Sequence, residues 1–232
     1  SLCGGCDLQH LDYKEQLNFK QHKVIELFSR SGIAVNTIEQ LPWQEPITST
    51  QWHYRRKARI GVQFDKNSQV TIGFRQKATN QLAAVKSCPV LVKPAADIFP
   101  LLTELIGKLS VKKAIGHIEV LYADSACQDL SNIPSNTKSN SASNSASDKS
   151  SKELILVVRQ IRAINENDRN LWQEYANKNH WQVYFQEECH SEQDSSSKNA
   201  ASDLSYSLVD DIKIHFSSSD FIQINQHVNL AM

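Results

Sequence analysis

The sequence has no apolar run approaching the roughly 18 residues that a membrane-spanning helix needs. Its opening residues, Ser1-Leu2-Cys3, have neither the basic start nor the apolar core of a secretory signal. These two absences point to a cytoplasmic protein. A surplus of charge is missing as well: Lys and Arg number 25, and Asp and Glu number 25. Any case for a polyanionic partner must therefore rest on local clusters. Cysteine is scarce, with five residues unevenly spread. An odd, irregular set excludes a disulfide framework, and in a reducing compartment such thiols are metal ligands, catalytic groups or inert. An initiator methionine is missing and the chain opens inside a cysteine motif, so a piece of a longer protein is expected. At 232 residues the chain is long enough to bury a sizeable core.

Periodicity and punctuation divide the chain. Asp12 and Glu15 form the carboxylate version of a capping box, Leu17, Val24 and Phe28 recur on one face, and Gly32 suits a left-handed cap. Together they predict a helix over about 13–31. Residues 54–64 instead alternate with period two: Tyr54, Arg56, Ala58, Ile60, Val62 and Phe64 on one side, Arg55, Lys57, Arg59 and Gln63 on the other. A polar turn at Asp65–Ser68 leads to a partner strand over 70–74, and a third strand over 82–85 delivers Cys88. Residues 93–109 read as a helix that Pro100 must kink or restart. Strands are expected at 115–122, 154–159, 182–185, 206–209 and 212–216, with a helix over 166–178. Ser and Asn supply 13 of the 22 residues from 131 to 152, too polar to offset the entropy of ordering them. Disordered insertions are accordingly expected at about 129–152 and 191–204. The fold class is α+β, a mostly antiparallel sheet with packed helices. Residues 1–216 are read as one domain and 217–232 as a linker ending in the start of a helix.

Two thiolates separated by two residues can reach one centre, and Cys3-Gly4-Gly5-Cys6 has glycines that ease the turn between them. Cys88-Pro89 resembles the way cysteine-rich cluster motifs end. These three thiols suit an iron–sulfur cluster, a zinc site with His10 as a fourth ligand, or no metal at all. A thioredoxin-like pair is disfavoured because no strand precedes it. Cys127 and Cys189 are read as ordinary free thiols. Trp52-His53-Tyr54-Arg55-Arg56-Lys57-Ala58-Arg59 mixes cations with aromatics, a composition that suits phosphates and stacked bases, and Arg75 extends the positive surface. Looped or single-stranded RNA is the favoured form, because its bases can be splayed and stacked. The alternative is a solvated basic strand covering a sheet edge. Phe221-Ile222-Gln223-Ile224-Asn225 alternates like a strand, which by itself makes Phe221 core and Gln223 exposed.

Six segments taken in order resemble the bacterial 23S ribosomal RNA uracil-5 methyltransferases of the RlmD (RumA) type. They are Cys-Gly-Gly-Cys-Asp-Leu-Gln-His at 3–10, Tyr-Arg-Arg-Lys-Ala-Arg at 54–59, Ile-Gly-Phe-Arg at 72–75, Cys-Pro-Val-Leu at 88–91, Gly-His-Ile-Glu at 116–119 and Asp-Phe-Ile-Gln-Ile-Asn at 220–225. The resemblance implies a central domain, preceded by a TRAM domain and followed by a Rossmann-like methyltransferase domain. It implies that Cys3, Cys6 and Cys88 are three ligands of a 4Fe-4S cluster whose fourth lies upstream of Ser1. It places Gln223 in the S-adenosyl-L-methionine site, and the basic stretch, with Tyr54, Arg55, Arg56, Lys57, Arg59 and Arg75, is the candidate surface for 23S ribosomal RNA. The nucleophilic cysteine and the base are expected beyond Met232, so the chain alone should be inactive. A non-catalytic RNA-binding module holding a cluster or zinc is the alternative. The oligomeric state is not set by the sequence.

Overall fold

The structure is a computed structural model and describes residues 2–111, 113–125, 152–187, 204–208 and 212–232. Cys127, Cys189 and nearly all of the two expected insertions lie outside these residues. Only the insertions' last residues, Lys152 and Leu204, are described, and they begin strands.

Helix α1 (Tyr13–Arg30) starts where the Asp12 side chain accepts the Glu15 amide. It stops where Gly32, at φ +85°, lets Ile33 N–H donate back to the Phe28 carbonyl, the 6→1 bond of a Schellman cap. The short α2 (Val35–Glu39) follows, and Trp43 folds back, its indole N–H donating to the Ile38 carbonyl. Strands β1 (Lys57–Phe64), β2 (Val70–Arg75) and β3 (Leu82–Ala84) form an antiparallel meander, and the Asp65 carboxylate accepts the Asn67 and Gln69 amides in the first turn. The helix expected over 93–109 is two helices, α3 (Lys93–Ala96) and α4 (Phe99–Lys108). Pro100 restarts the second within its first turn, where a missing N–H removes no helical bond.

Strands β4 (Ile115–Ser125) and β5 (Lys152–Gln160) form the long antiparallel centre of the sheet. Helix α5 (Glu166–Asn179), capped by the Asn165 side chain and ended by a left-handed His180, carries the chain back to β6 (Trp181–Glu187), which runs parallel to β5. Strands β7 (Leu204–Ser207) and β8 (Lys213–Phe216) pair with each other, and β7 joins the far end of β4. Helix α6 (Gln226–Ala231) is capped by Asn225. The main sheet order is β3-β2-β1-β4-β5-β6. The mixed α+β class with a mostly antiparallel sheet is as expected; β5–β6 is its one parallel pair among the described strands.

Period-two alternation sends side chains to two faces. Ala58, Ile60 and Val62 of β1, Ile118 and Val120 of β4, and Leu154, Leu156 and Val158 of β5 meet α4 and α5 through Phe99, Leu102, Leu105, Ile106 and Trp172. On the other face Leu121, Ala123, Ile155 and Val157 meet Leu204, Phe216 and Ile222 in a second, smaller core. Asp168, 3% exposed, lies at the edge of the main core, where its two oxygens accept the Ser110 and Val111 amides and fix the loop after α4 to α5.

Candidate cysteine centre and nucleic-acid interface

The cysteine motif is held against the end of β2. Gly4 N–H donates to the Arg75 carbonyl at 2.9 Å, and Cys3 bridges Gln76. A Cβ on Gly4 would fall 2.9 Å from both Arg75 O and Lys77 N, so only glycine permits this approach. Cys88 is positioned from the other side: its N–H donates to the Ala96 carbonyl, and its own carbonyl closes the turn through Pro89 by accepting Leu91 N–H. Cys3, Cys6 and Cys88, all partly buried free thiols, line one cavity of about 800 Å³ with His10, Phe74 and Val85. Burial pushes the Cys6 thiol above its ordinary pKa, the Cys88 and Cys3 sulfurs add to this, and Arg55 opposes it. Gly5 N–H points at Cys3 Sγ from 3.4 Å. Thiols, an apolar wall and an amide aimed at sulfur are what a sulfur-ligated centre requires. Among the described residues no three His, Cys, Asp or Glu side chains form a set for one metal ion.

The six residues read as RNA contacts divide. Arg59 and Arg75 are exposed; Arg59 approaches His117 Nδ1 at 3.2 Å, and Arg75 donates to Asn80 at 3.0 Å. Both edge a groove of about 410 Å³ that crosses β1, β2 and β4 over Gly61 and Gly73, with His117 on its rim. Lys57 is half-buried, its Nζ donating to the Ser218 and Asp220 carbonyls. Arg55 lies beside Cys6, and Tyr54 is half-buried near the thiols, where burial and then the Cys6 charge raise its hydroxyl's pKa. Arg56 departs from the expected surface. It is 4% exposed, its guanidinium stacks 4.2 Å from the centre of the Tyr206 ring, and its Nε donates to the Gln223 carbonyl.

Sequence reasoning missed the acidic part of this face. His117, Glu119 and Arg159 lie together, with His117 Nε2 3.7 Å and Arg159 4.0 Å from Glu119. The adjacent His117, followed by Lys57 and Arg159, holds the Glu119 carboxyl below its ordinary range against the effect of its burial. The signal was present in Gly-His-Ile-Glu: with Ile118 facing the core, His117 and Glu119 must face away.

The expected strand 221–225 is absent. Phe221 is 82% exposed, the buried residue is Ile222 at 4%, and pairing is limited to one bridge between Asn225 and Arg55. Gln223 has an exposed side chain on a tightly held backbone. Residues 217–225 meet the rest of the fold through the buried Ser218 and Ile222 and through Asn225, whose amide donates to Ser49 Oγ.

Among known proteins, the chain is 51% identical over 237 residues to the 23S rRNA (uracil(1939)-C(5))-methyltransferase RlmD of Colwellia psychrerythraea, covering 100% of this chain and 48% of that protein. It is 32% identical to the RlmD protein of Acinetobacter baumannii, covering 100% and 44%, and 31% identical to that of Shewanella halifaxensis, covering 99% and 45%. The chain spans about half the length of the relatives it matches. No protein-family model matches it. Among solved structures, the Pyrococcus abyssi tRNA (uracil-54, C5)-methyltransferase, in complex with S-adenosyl-L-homocysteine, shares the fold. Its TM-score is 0.58 at 17% identity, over 99% of this chain and 49% of that one. No helix among the described residues is long and apolar enough to cross a membrane.

Proposed function

We propose that this chain, similar over its whole length to the RlmD-type 23S rRNA uracil-5 methyltransferases, is the RNA-recognising, cluster-holding part of such an enzyme. The observation that carries the reading is the 51% identity over 237 residues, covering 100% of this chain. The full protein transfers the methyl group of S-adenosyl-L-methionine to C5 of a uridine in 23S ribosomal RNA, in the cytoplasm. A thiolate adds to C6 of the base, C5 then takes the methyl group and S-adenosyl-L-homocysteine leaves. A base removes the C5 proton and the thiolate departs. No residue of this chain is assigned the thiolate or the base.

The target base must leave its stack first, at a cost on the order of a few kcal/mol. Arg59 and Arg75 at the groove, with Tyr54, Arg55 and Lys57 on the segment that leads to Arg59, offset that cost by holding the neighbouring phosphates and bases. Cys3, Cys6 and Cys88 would supply three thiolates to a 4Fe-4S cluster, which would tie the N-terminal motif to the Cys88 loop. Gln223 presents an amide, both donor and acceptor, to the methyl donor.

The test uses the full-length protein with methyl-labelled S-adenosyl-L-methionine and unmodified 23S rRNA, followed by digestion to nucleosides. Label in 5-methyluridine is the expected result. Label in another nucleoside, or none with protein that carries its cofactors, would remove the proposal.

A further inference from the structure

We infer that Arg56 is a positioning residue for the methyl donor and not an RNA ligand, acting by fixing the main chain that presents Gln223. The inference rests on the reading of Gln223 as a contact for that donor. A permanently charged side chain is buried only where its charge and donors are well used. Arg56 is 4% exposed; its Nε gives a 2.9 Å bond to the Gln223 carbonyl, its backbone N–H a 3.0 Å bond to the Ile224 carbonyl, and its guanidinium lies over Tyr206. Two consecutive carbonyls are therefore held by one residue 167 positions away in the chain.

Every neighbour of Gln223 is anchored as well. Ile222 is sunk in the second core, and Asn225 bridges Arg55, caps α6 and donates to Ser49 Oγ at 2.7 Å. The exposed Gln223 side chain thus leaves a backbone with little freedom, as a preorganised ligand contact needs.

The same stretch binds the cysteine loop along its other edge. His53 N–H donates to the Pro89 carbonyl, His53 Nδ1–H to Leu91 O at 2.8 Å, and Arg55 N–H to Val90 O. Val92 N–H returns to Arg55 O. Residues 54–56 lie between the loop that carries Cys88 and the segment that carries Gln223. A substitution at Arg56 removes the side-chain bond to the Gln223 carbonyl and leaves the backbone bonds on both sides of this seam in place.

The experiment measures binding of S-adenosyl-L-homocysteine and of unmodified 23S rRNA to the full-length protein by calorimetry and filter retention. The variants are Arg56→Met, which keeps the stem and removes the donors, Arg56→Lys, which keeps charge and one donor, Gln223→Ala, and the Arg56→Met/Gln223→Ala pair. Removal of a charged hydrogen bond predicts roughly 10-fold weaker S-adenosyl-L-homocysteine binding for Arg56→Met, partial recovery in Arg56→Lys, and RNA affinity within about 2-fold of wild type. In the Gln223→Ala background Arg56→Met should add almost nothing, because both act through one contact. Equal loss of both ligands, loss of RNA affinity alone, or additive effects in the pair would overturn the inference. If Arg56→Met does not fold, Arg56→Lys alone and with Gln223→Ala decides by the same criterion. A wild-type protein that fails to bind S-adenosyl-L-homocysteine would instead remove the reading of Gln223, and the inference with it.

Discussion

The two faces of the central sheet use the same strands for different ends. The face toward α4 and α5 is closed: Ile60, Ile118, Leu156, Leu102, Leu105 and Trp172 have no exposed surface. Among the described residues, the opposite face is covered by β7, β8 and Ile222 over β4 and β5 near Leu121 and Ile155; elsewhere it bears Arg59, Arg75 and His117 around a groove. One residue step along β4 separates them, with Ile118 buried and His117 at the groove. Alternation lets a single strand hold the fold on one side and carry the proposed RNA-facing residues on the other, so substitutions on the two faces should separate stability from binding.

The largest expected effect is on the closed face. Trp172→Ala removes a fully buried indole stacked edge-on against Phe185 and should cost about 3–5 kcal/mol, read from urea midpoints at constant slope. Asp168→Ala leaves the Ser110 and Val111 amides without their acceptor and should cost about 2 kcal/mol by the same measurement. On the open face, Arg59→Ala with Arg75→Ala should leave stability within about 0.5 kcal/mol. It should weaken rRNA binding roughly 10-fold and reduce the slope of log affinity against log salt by about 1.4, the value for two single-strand phosphate contacts. A large loss of stability in that pair would break the comparison.

The smallest effect concerns pH. Glu119's carboxyl is depressed in the fold by His117, Lys57 and Arg159. Its contribution is complete above the unfolded value of about 4.3 and is lost as pH falls through the lower folded one. The stability gap between wild type and Glu119→Gln should be flat above about pH 5 and narrow below about pH 4. A gap that widens on acidification would reverse the sign.

What was legible in the sequence was local. Asp12 and Gly32 mark the two ends of α1 because caps are made within a few residues, and the alternation of 58, 60 and 62 identified the buried side of β1. That Cys88 lines one cavity with Cys3 and Cys6 is a juxtaposition only the fold supplies. Arg56 shares the alternation of 58, 60 and 62, but the groups that hold it, the Tyr206 ring and the Gln223 carbonyl, lie more than 100 residues away and were not legible. Phe221 and Ile222 were given the wrong phase for the same reason: β8 and the second core decide which is covered. Pro100 marked a helix boundary but could not say on which side the break fell.

The most direct measurement is the 5-methyluridine content of 23S rRNA from cells lacking the source gene, compared with cells carrying it, with the modified position located by mass mapping. The account predicts loss of one 5-methyluridine from 23S rRNA on deletion and its return on complementation with the full-length gene. An unchanged 5-methyluridine content in 23S rRNA would contradict it.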